Sequence, residues 1–407
     1  MISSKKSIVN TVVLYTARIL QMLFPLLILP FVARHLSLDE YGKIVTIQAA
    51  ASLITALVEY GFNYTGSRDL ATALDNHNEF NRVFNKINSS KIVLFFISLI
   101  IILIYVFLNP SISSLFIFIV GLVCAQGFSP YWAFQAVGNV IPFAISEFIS
   151  KLLIFLSLLL LLRSGVSPVG FLLINTIFPI LASFTLIVIF VKRYNITPIF
   201  YEPLFYIKNS FNMFIFRIGS IAYSSGSTAI LGLVVPASQV AIYGGADRFF
   251  RATSMFVGPI GEVIFPRISY LLENDLVKAK IYQKYGFTIL FLLSLTLSIL
   301  LFIMSPYIID YFLGEKYSDS VDILRILSLN VLLIGIGTAI GVVYIIPRKL
   351  DNIFATATAV AGVWNISSIL LLVPRLGIRW MAWSINISEI LLILTCVMLI
   401  ILRRKNA

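Results

Sequence analysis

The feature that most constrains this chain is a series of long apolar runs with no charged residue, such as Ile92 to Leu108, Leu152 to Leu162 and Leu391 to Leu402. A helix needs about 20 mainly apolar residues to cross a hydrocarbon core. Runs of this kind recur along the whole sequence, separated by charged or Pro/Gly-rich breaks, so they cannot all be folded into a water-surrounded core. They lack the alternating polar positions of an outer-membrane barrel, and their backbone groups must therefore be satisfied within helices. Composition agrees: 59% of the 407 residues are hydrophobic and 12% are charged, against roughly 25% charged in soluble domains. The fold class expected is an all-α integral membrane protein.

Cutting the sequence at its breaks predicts spans near Ile8 to Ala33, Ile44 to Tyr64, Ile92 to Leu108, Leu115 to Phe134, Ile141 to Leu162 and Pro168 to Val191. A second set follows near Met213 to Val235, Ala241 to Pro266, Tyr285 to Phe312, Val321 to Ile346, Ile353 to Val373 and Trp380 to Leu402. The expectation is about 12 transmembrane helices in two six-helix lobes, residues 1–200 and 201–407. The first run, after Lys5 and Lys6, continues well past signal-peptide length without a convincing cleavage site and is read as a retained helix.

The formal charge of +12 would suggest nucleic-acid binding in a soluble protein, whereas a membrane protein concentrates Lys and Arg on its cytoplasmic rim. With an even number of spans, Lys5, Lys6, Arg68, Arg82, Lys86, Lys91, Lys192, Arg193, Lys208, Arg267, Lys278, Lys280, Lys284, Arg348, Lys349, Arg403, Arg404 and Lys405 share a face, and only Arg34, Lys43, Arg163, Lys316, Arg375 and Arg379 fall on the other. The termini are therefore predicted to be cytoplasmic, in a bacterial plasma (inner) membrane. The longest connections, Thr65 to Lys91 and Lys192 to Asn212, read as amphipathic helices on the inner surface. No GxxxxGK[ST] occurs, so ATP hydrolysis is not expected of this chain. Cys124 and Cys396 lie in separate apolar runs, and His35 and His77 have no second ligand at metal spacing, so neither a metal nor a cofactor is predicted.

An internal repeat is visible. Asn10 to Arg18 reads NTVVLYTAR and Asn209 to Arg217 reads NSFNMFIFR; farther on, LSLDEYG ends at Gly42 and PASQVAIYG at Gly244. Duplicated halves are the arrangement in which a central cavity alternates its exposure by rocking one bundle against the other.

Charges inside apolar spans are the functional candidates, because a centrally buried ion costs roughly 2.5–3.5 kcal/mol and needs a partner or water. Arg18 lies in the first span with Gln21 on its face, and Arg217 in the seventh with Ser220 and Ser224. The eighth holds Asp247, Arg248, Arg251 and Glu262, and the fifth holds Glu147 and Lys151. Neighbouring opposite charges on one helix face suggest three satisfied pairs: Glu147 with Lys151, Asp247 with Arg251, and Asp322 with Arg325. Neither Arg18 nor Arg217 has an acid within one turn of its own helix, so each must snorkel, find an acid across the bundle or face a watered cavity. A cavity rich in guanidinium groups suits phosphate, which accepts paired hydrogen bonds from the planar fork. Moving two negative charges outward across about 100 mV is favourable by up to about 4.6 kcal/mol. Pro25, Pro30, Pro142, Pro179 and Pro266 lie in or at the ends of spans, where proline favours bends. Tyr131, Trp132, Trp380 and Trp383 read as interfacial anchors.

The Arg18 helix with Pro30 and Arg34, then LSLDEYG and the GFNYTGSRDLA stretch from Gly61 to Ala71, resembles the polysaccharide-export flippases of the Wzx or O-antigen type. IYGGADRFFRATSMFVGPIGEVIFPRIS, from Ile242 to Ser269, and GVVYIIP, from Gly341 to Pro347, resemble that family's eighth- and tenth-helix signatures. The resemblance covers nearly the whole chain. It implies a two-lobed bundle, not an enzyme, that flips undecaprenyl-diphosphate-linked oligosaccharide repeat units between leaflets. It implies a cationic central cavity on Arg18, Arg217, Arg248 and Arg251 with Lys151, and coupling to an ion gradient, for which Asp247 and Glu262 are the candidate acids. Expected partners are the lipid-linked oligosaccharide and membrane lipid, with a polysaccharide polymerase and chain-length machinery as further candidates. The alternatives are an ion-coupled multidrug exporter of similar architecture, which would call for unpaired acids, a membrane glycan polymerase, which would carry a large outer loop, and a non-transport scaffold.

Overall fold

The computed structural model describes residues 24–405 apart from 25, 162–164, 166, 212, 216, 218–220, 222–224 and 349, and its side-chain description also excludes positions 225, 262, 351, 404 and 405. Among the described residues all regular elements are helical, and 10 helices are long and apolar enough to cross a membrane. They coincide with the second to sixth and eighth to twelfth predicted spans. The first and seventh spans fall partly outside the described residues, which retain the apolar helix α1 (Leu26–His35) of the first.

The chain divides into two compact units, Met1–Ala229 and Ile230–Ala407. In the first, α2 (Leu38–Glu59) starts at a reciprocal capping box: Ser37 Oγ accepts from the Glu40 amide, and Glu40 accepts from the Ser37 amide at 2.9 Å. The LSLDEYG motif is thus a helix start. Then come α3 (Thr65–Thr72), α4 (His77–Leu108), α5 (Phe116–Gly127), α6 (Tyr131–Ala136), α7 (Ile141–Leu161), α8 (Pro168–Arg193) and α9 (Pro203–Asn209). α5 packs between α2 and α8, and α7 packs on α8. Gly121 makes the α5–α8 approach possible, because a Cβ there would collide with Thr176. Phe96, Ile100, Leu103 and Phe107 form an exposed stripe on α4, the surface expected of a lipid-facing helix.

The stretch from Thr65 to Lys91 is helical as expected, but much of it belongs to the third span and does not lie apart as a surface helix. Polar residues end the apolar run but not the helix: Asn76 caps α4 by accepting from the amides of Asn78 and Glu79, and the helix then continues through Lys91 to Leu108. Phe80 and Phe84 from this extension stack with Trp132 and Phe190 in a buried aromatic cluster. The polar face of the same extension holds the extended connector that follows α8. Asn81 accepts from the Thr197 amide at 3.2 Å, Asn85 donates to Thr197 O at 2.8 Å and accepts from the Ile199 amide at 3.2 Å, and Ser89 accepts from the Tyr201 amide at 2.9 Å. Spaced four apart, these side chains stand in for a partner strand, which a lone extended segment needs. Lys86 adds an ion pair to Glu202 at 2.8 Å. Residues beyond 200 remain with this unit: Ser210 and Thr65 share a buried hydroxyl bond of 2.8 Å, and Tyr206 donates to Asp69. Burial and the Asp69 carboxylate push the Tyr206 phenol well above its ordinary range.

Helix α10 (Ser225–Val234) crosses the boundary between the units. The second unit contains α11 (Ala237–Ser254), α12 (Gly258–Asn274), α13 (Leu276–Leu313), α14 (Ser320–Thr338), α15 (Asp351–Leu371), α16 (Val373–Leu376) and α17 (Ile378–Lys405). PASQVAIYG opens α11 as LSLDEYG opens α2. The eighth span is broken at Met255–Val257, and Pro259 stands in the first turn of α12, where its missing donor costs nothing. Small residues let α13 and α14 approach closely: Ser294 meets Gly335, and Ser298 and Ser305 continue the buried face. GVVYIIP coincides with a π-helical turn, Ala339–Ile345, at the end of α14. Gln283 of α13 donates to Val343 O at 2.9 Å and accepts from Arg348 at 2.9 Å, tying this turn down. Pro179 and Pro266 lie inside α8 and α12, Pro142 lies in the first turn of α7, and Pro25 lies outside the described residues.

Candidate functional site

The fifth span, α7, is two-faced. Ile145, Ile149 and Leu153 repeat every fourth residue on an exposed apolar face, while Glu147 and Lys151 lie two residues out of phase and hence on nearly the opposite side. That polar side lines a cavity of about 450 Å³ inside the first unit. Its other walls are Gln48 and Glu59 from α2, Gln126 from α5, Asn175, Pro179 and Ser183 from α8, and Asn63, Ser129, Tyr131 and Phe143 at the helix ends. Glu147 and Lys151 do not form the ion pair their spacing suggested; among the described residues neither has an ion-pair partner, and both line the cavity. Tyr131 and Phe143 pack with ring centroids 4.9 Å apart.

At the edge of this cavity Glu59 accepts a charge-assisted bond from Arg217 Nη2, with side chains only 18% and 22% exposed. The seventh-span arginine has therefore found its acid across the bundle. Arg217 Nε is buried and without a partner among the described residues. Lys91 is 1% exposed and donates from Nζ to Gly127 O at 2.9 Å and Ser129 O at 3.4 Å. Its side chain lies in the protein interior, where it satisfies the carbonyl end of α5. Lys91 is close enough to Glu59 and Arg217 to feel both charges.

In the second unit α11 carries the remaining charges. Arg251 Nε donates to Asp247 at 2.6 Å, as the spacing predicted, and the buried Tyr243 hydroxyl donates to the other Asp247 oxygen at 3.4 Å. Arg248 lies on the same helix. The Asp322 pair differs from expectation: Asp322 meets Arg379 of α17 at 2.7 Å, while Arg325 sits over the Phe302 ring. Asp322 lies in the first turn of α14 and Arg379 at the start of α17, so a cross-helix partner is nearer than the one a turn away.

The sequence profile of the polysaccharide biosynthesis protein family matches residues 7–272, well over half of the chain. The chain belongs to this family. A relative from Escherichia coli (strain K12), named "Putative O-antigen transporter", is 26% identical over 360 residues, 86% of each chain. Among solved structures, the lipid II flippase MurJ in an inward closed conformation superposes with a TM-score of 0.72 at 17% identity, over 97% of this chain and 87% of that one. An inward-facing multidrug resistance transporter of the MATE family gives 0.73 at 15% identity, over 95% and 96%. At these identities the solved structures establish a shared fold. This member of the polysaccharide biosynthesis family is a multi-pass membrane transporter and not an enzyme.

Of the residues singled out from sequence, Lys151 lines the cavity of the first unit, Arg217 meets the cavity-lining Glu59, and Asp247 and Arg251 pair in the second unit. Arg18, Gln21, Ser220 and Ser224 lie outside the described residues, as does the side chain of Glu262 on α12. Glu59, Gln126 and Tyr131 were not anticipated as site residues. Glu59 had a legible signal, being the one acid within the second apolar run. Gln126 and Tyr131 had none, since one follows a run of small apolar residues and the other looks like an interfacial anchor.

Proposed function

We propose that this transporter moves undecaprenyl-diphosphate-linked oligosaccharide repeat units from the cytoplasmic to the outer leaflet of the bacterial inner membrane, for O-antigen or another surface polysaccharide. The single observation that carries this reading is Arg217, an arginine within the membrane region that spends Nη2 on Glu59 and keeps a buried Nε donor without a partner among the described residues. A guanidinium has donors to spare for a phosphate oxygen after one carboxylate contact. Arg248 and Arg251 supply further guanidinium groups from the other half, and Arg18 and Lys151 complete the cationic set. Two compact units suit alternating access by rocking. Asp247, buried between Arg251 and Tyr243, and Glu262 are the coupling-acid candidates. Both termini are cytoplasmic on this reading, and a polysaccharide polymerase with its chain-length machinery would receive the product.

The competing reading is an ion-coupled multidrug exporter, favoured by the Glu147 carboxylate, which lines the cavity without an ion-pair partner among the described residues. A strain lacking the gene separates the two. Loss of surface glycan with intact lipid-linked units retained on the cytoplasmic leaflet supports the flippase. Unchanged glycan with increased drug sensitivity supports the exporter, and units reaching the outer leaflet without being joined would point to a polymerase.

A further inference from the structure

In the second unit Arg267 is an exposed arginine held in place by aromatic rings. Its Cζ lies 5.7 Å from the centroid of Tyr270, on its own helix α12, and 5.8 Å from that of Tyr282 on α13, which packs against α12. Both distances are within cation–π reach, and contacts to two helices restrict a side chain that would otherwise snorkel freely. Among the described residues Arg267 makes no hydrogen bond or ion pair, so the donors at the edge of its guanidinium are uncommitted. The two acids at the α12–α13 junction are not spare for it: Asp275 pairs with Lys278 at 2.9 Å, and Glu273 has an interaction of its own.

This arginine stands at the end of a lipid-facing strip. Tyr282, Tyr285, Ile289 and Leu292 follow one another at three- and four-residue steps, so they share one face of α13, and all four are exposed. The 38 residues of α13 make a helix about 57 Å long at about 1.5 Å per residue, against about 30 Å of hydrocarbon, so its ends rise through the headgroup layer. The long apolar run of α13 starts just after Tyr285, which puts Tyr270, Tyr282 and Tyr285 at the level of an interfacial aromatic belt. A planar guanidinium fork above an apolar strip matches a phosphodiester headgroup with acyl chains below it. The ammonium of a zwitterionic headgroup would meet a cation there and no spare acid, whereas an uncharged glycerol headgroup leaves the phosphate charge to Arg267 alone. We infer that Arg267, Tyr270 and Tyr282 form a binding site for an anionic phospholipid of the phosphatidylglycerol type, its phosphate on the fork and its chains along Tyr285, Ile289 and Leu292. The site belongs to the second unit and does not depend on which substrate is transported.

The test uses the purified full chain in detergent, titrated in native mass spectrometry with phosphatidylglycerol, with phosphatidylethanolamine of the same acyl chains, and with bare undecaprenyl diphosphate. Wild-type protein is expected to prefer phosphatidylglycerol over phosphatidylethanolamine by about tenfold, the value of a charge-assisted hydrogen bond, and Arg267→Gln to lose that preference with unchanged thermal stability. Arg267→Lys keeps the charge without the planar fork and should retain only part of it. Lys280→Gln removes a charge two residues out of phase with Tyr282, on nearly the opposite side of α13, and should leave the preference intact. Equal losses in Arg267→Gln and Lys280→Gln would reduce the binding to diffuse attraction and overturn the site, as would equal wild-type affinities for the two phospholipids. Tighter binding of bare undecaprenyl diphosphate than of phosphatidylglycerol, lost in Arg267→Gln, would give the arginine to the transported lipid and overturn the inference equally.

Discussion

Replacing Glu59 by Gln removes a charge and preserves shape, leaving Arg217 as an uncompensated cation in a largely buried setting. Breaking a buried ion pair from one side costs about 3–5 kcal/mol. The 22% exposure of Arg217 and the Asn63 side chain nearby, 3.5 Å from Glu59, soften the change. The lower end, about 3 kcal/mol, is therefore expected, a factor on the order of a hundred in the folding equilibrium. Removing both charges, with Glu59→Gln and Arg217→Gln together, leaves no unpaired ion and should recover most of that loss, since a buried pair contributes little net stability beyond its own desolvation. Denaturant or detergent unfolding of the purified protein, followed by tryptophan fluorescence, provides the double-mutant cycle. A Glu59→Gln protein as stable as wild type, or a double variant whose losses simply add, would refute the pairing and with it the account of how Arg217 is kept in the bundle.

Asn85→Ala should free the connector after α8, because the Ile199 amide loses its acceptor and Thr197 O its donor; faster hydrogen exchange at Ile199 and Tyr201 and earlier proteolysis there are expected, and unchanged exchange would contradict the side-chain ladder. Gly335→Val should destabilise by about 1–3 kcal/mol, since its side chain meets Ser294 across the α13–α14 contact, whereas Gly362→Ala, with open space around it, should be neutral or slightly stabilising; equal effects in a thermal-shift assay would remove the packing argument. Asp275 caps α13, and the Lys278 amide followed by its ammonium holds this carboxyl below its ordinary range. A depressed carboxylate contributes stability above its unfolded pKa that is lost as pH falls through the folded value. The first turn of α13 should therefore exchange faster in acid, and Asp275→Ala should abolish that pH dependence.

The spans were legible because the bilayer imposes a length and a polarity on each of them, and the ten described helices fall where the apolar runs do. Helix starts were less legible. α4 and α13 begin well before their apolar runs because Asn76 and Asp275 cap them, and hydropathy registers a change of surroundings while the helix itself continues. Charge pairs were legible only within a helix. Asp247 and Arg251 paired as their spacing suggested, but Glu59 with Arg217 and Asp322 with Arg379 are joined across the bundle, and no local spacing encodes that choice. Glu147 and Lys151 show the converse: one turn apart, they turn to a common cavity in preference to each other. Lys91 counts among the basic residues of one face in the sequence, but no local signal shows that its ammonium is buried and spent on Gly127 O, at the end of α5, and on Ser129 O just beyond it.

The central claim is transport of a lipid-linked oligosaccharide, and its most direct measurement is flipping by the purified protein in proteoliposomes, with undecaprenyl-diphosphate-linked repeat units whose leaflet is read by an impermeant sugar-modifying reagent. The account predicts that wild-type protein exposes the units within the time in which protein-free vesicles retain them, and that Arg217→Gln combined with Glu59→Gln, folded but lacking the guanidinium, does not. Equal exposure in wild-type, double-variant and protein-free vesicles would contradict it.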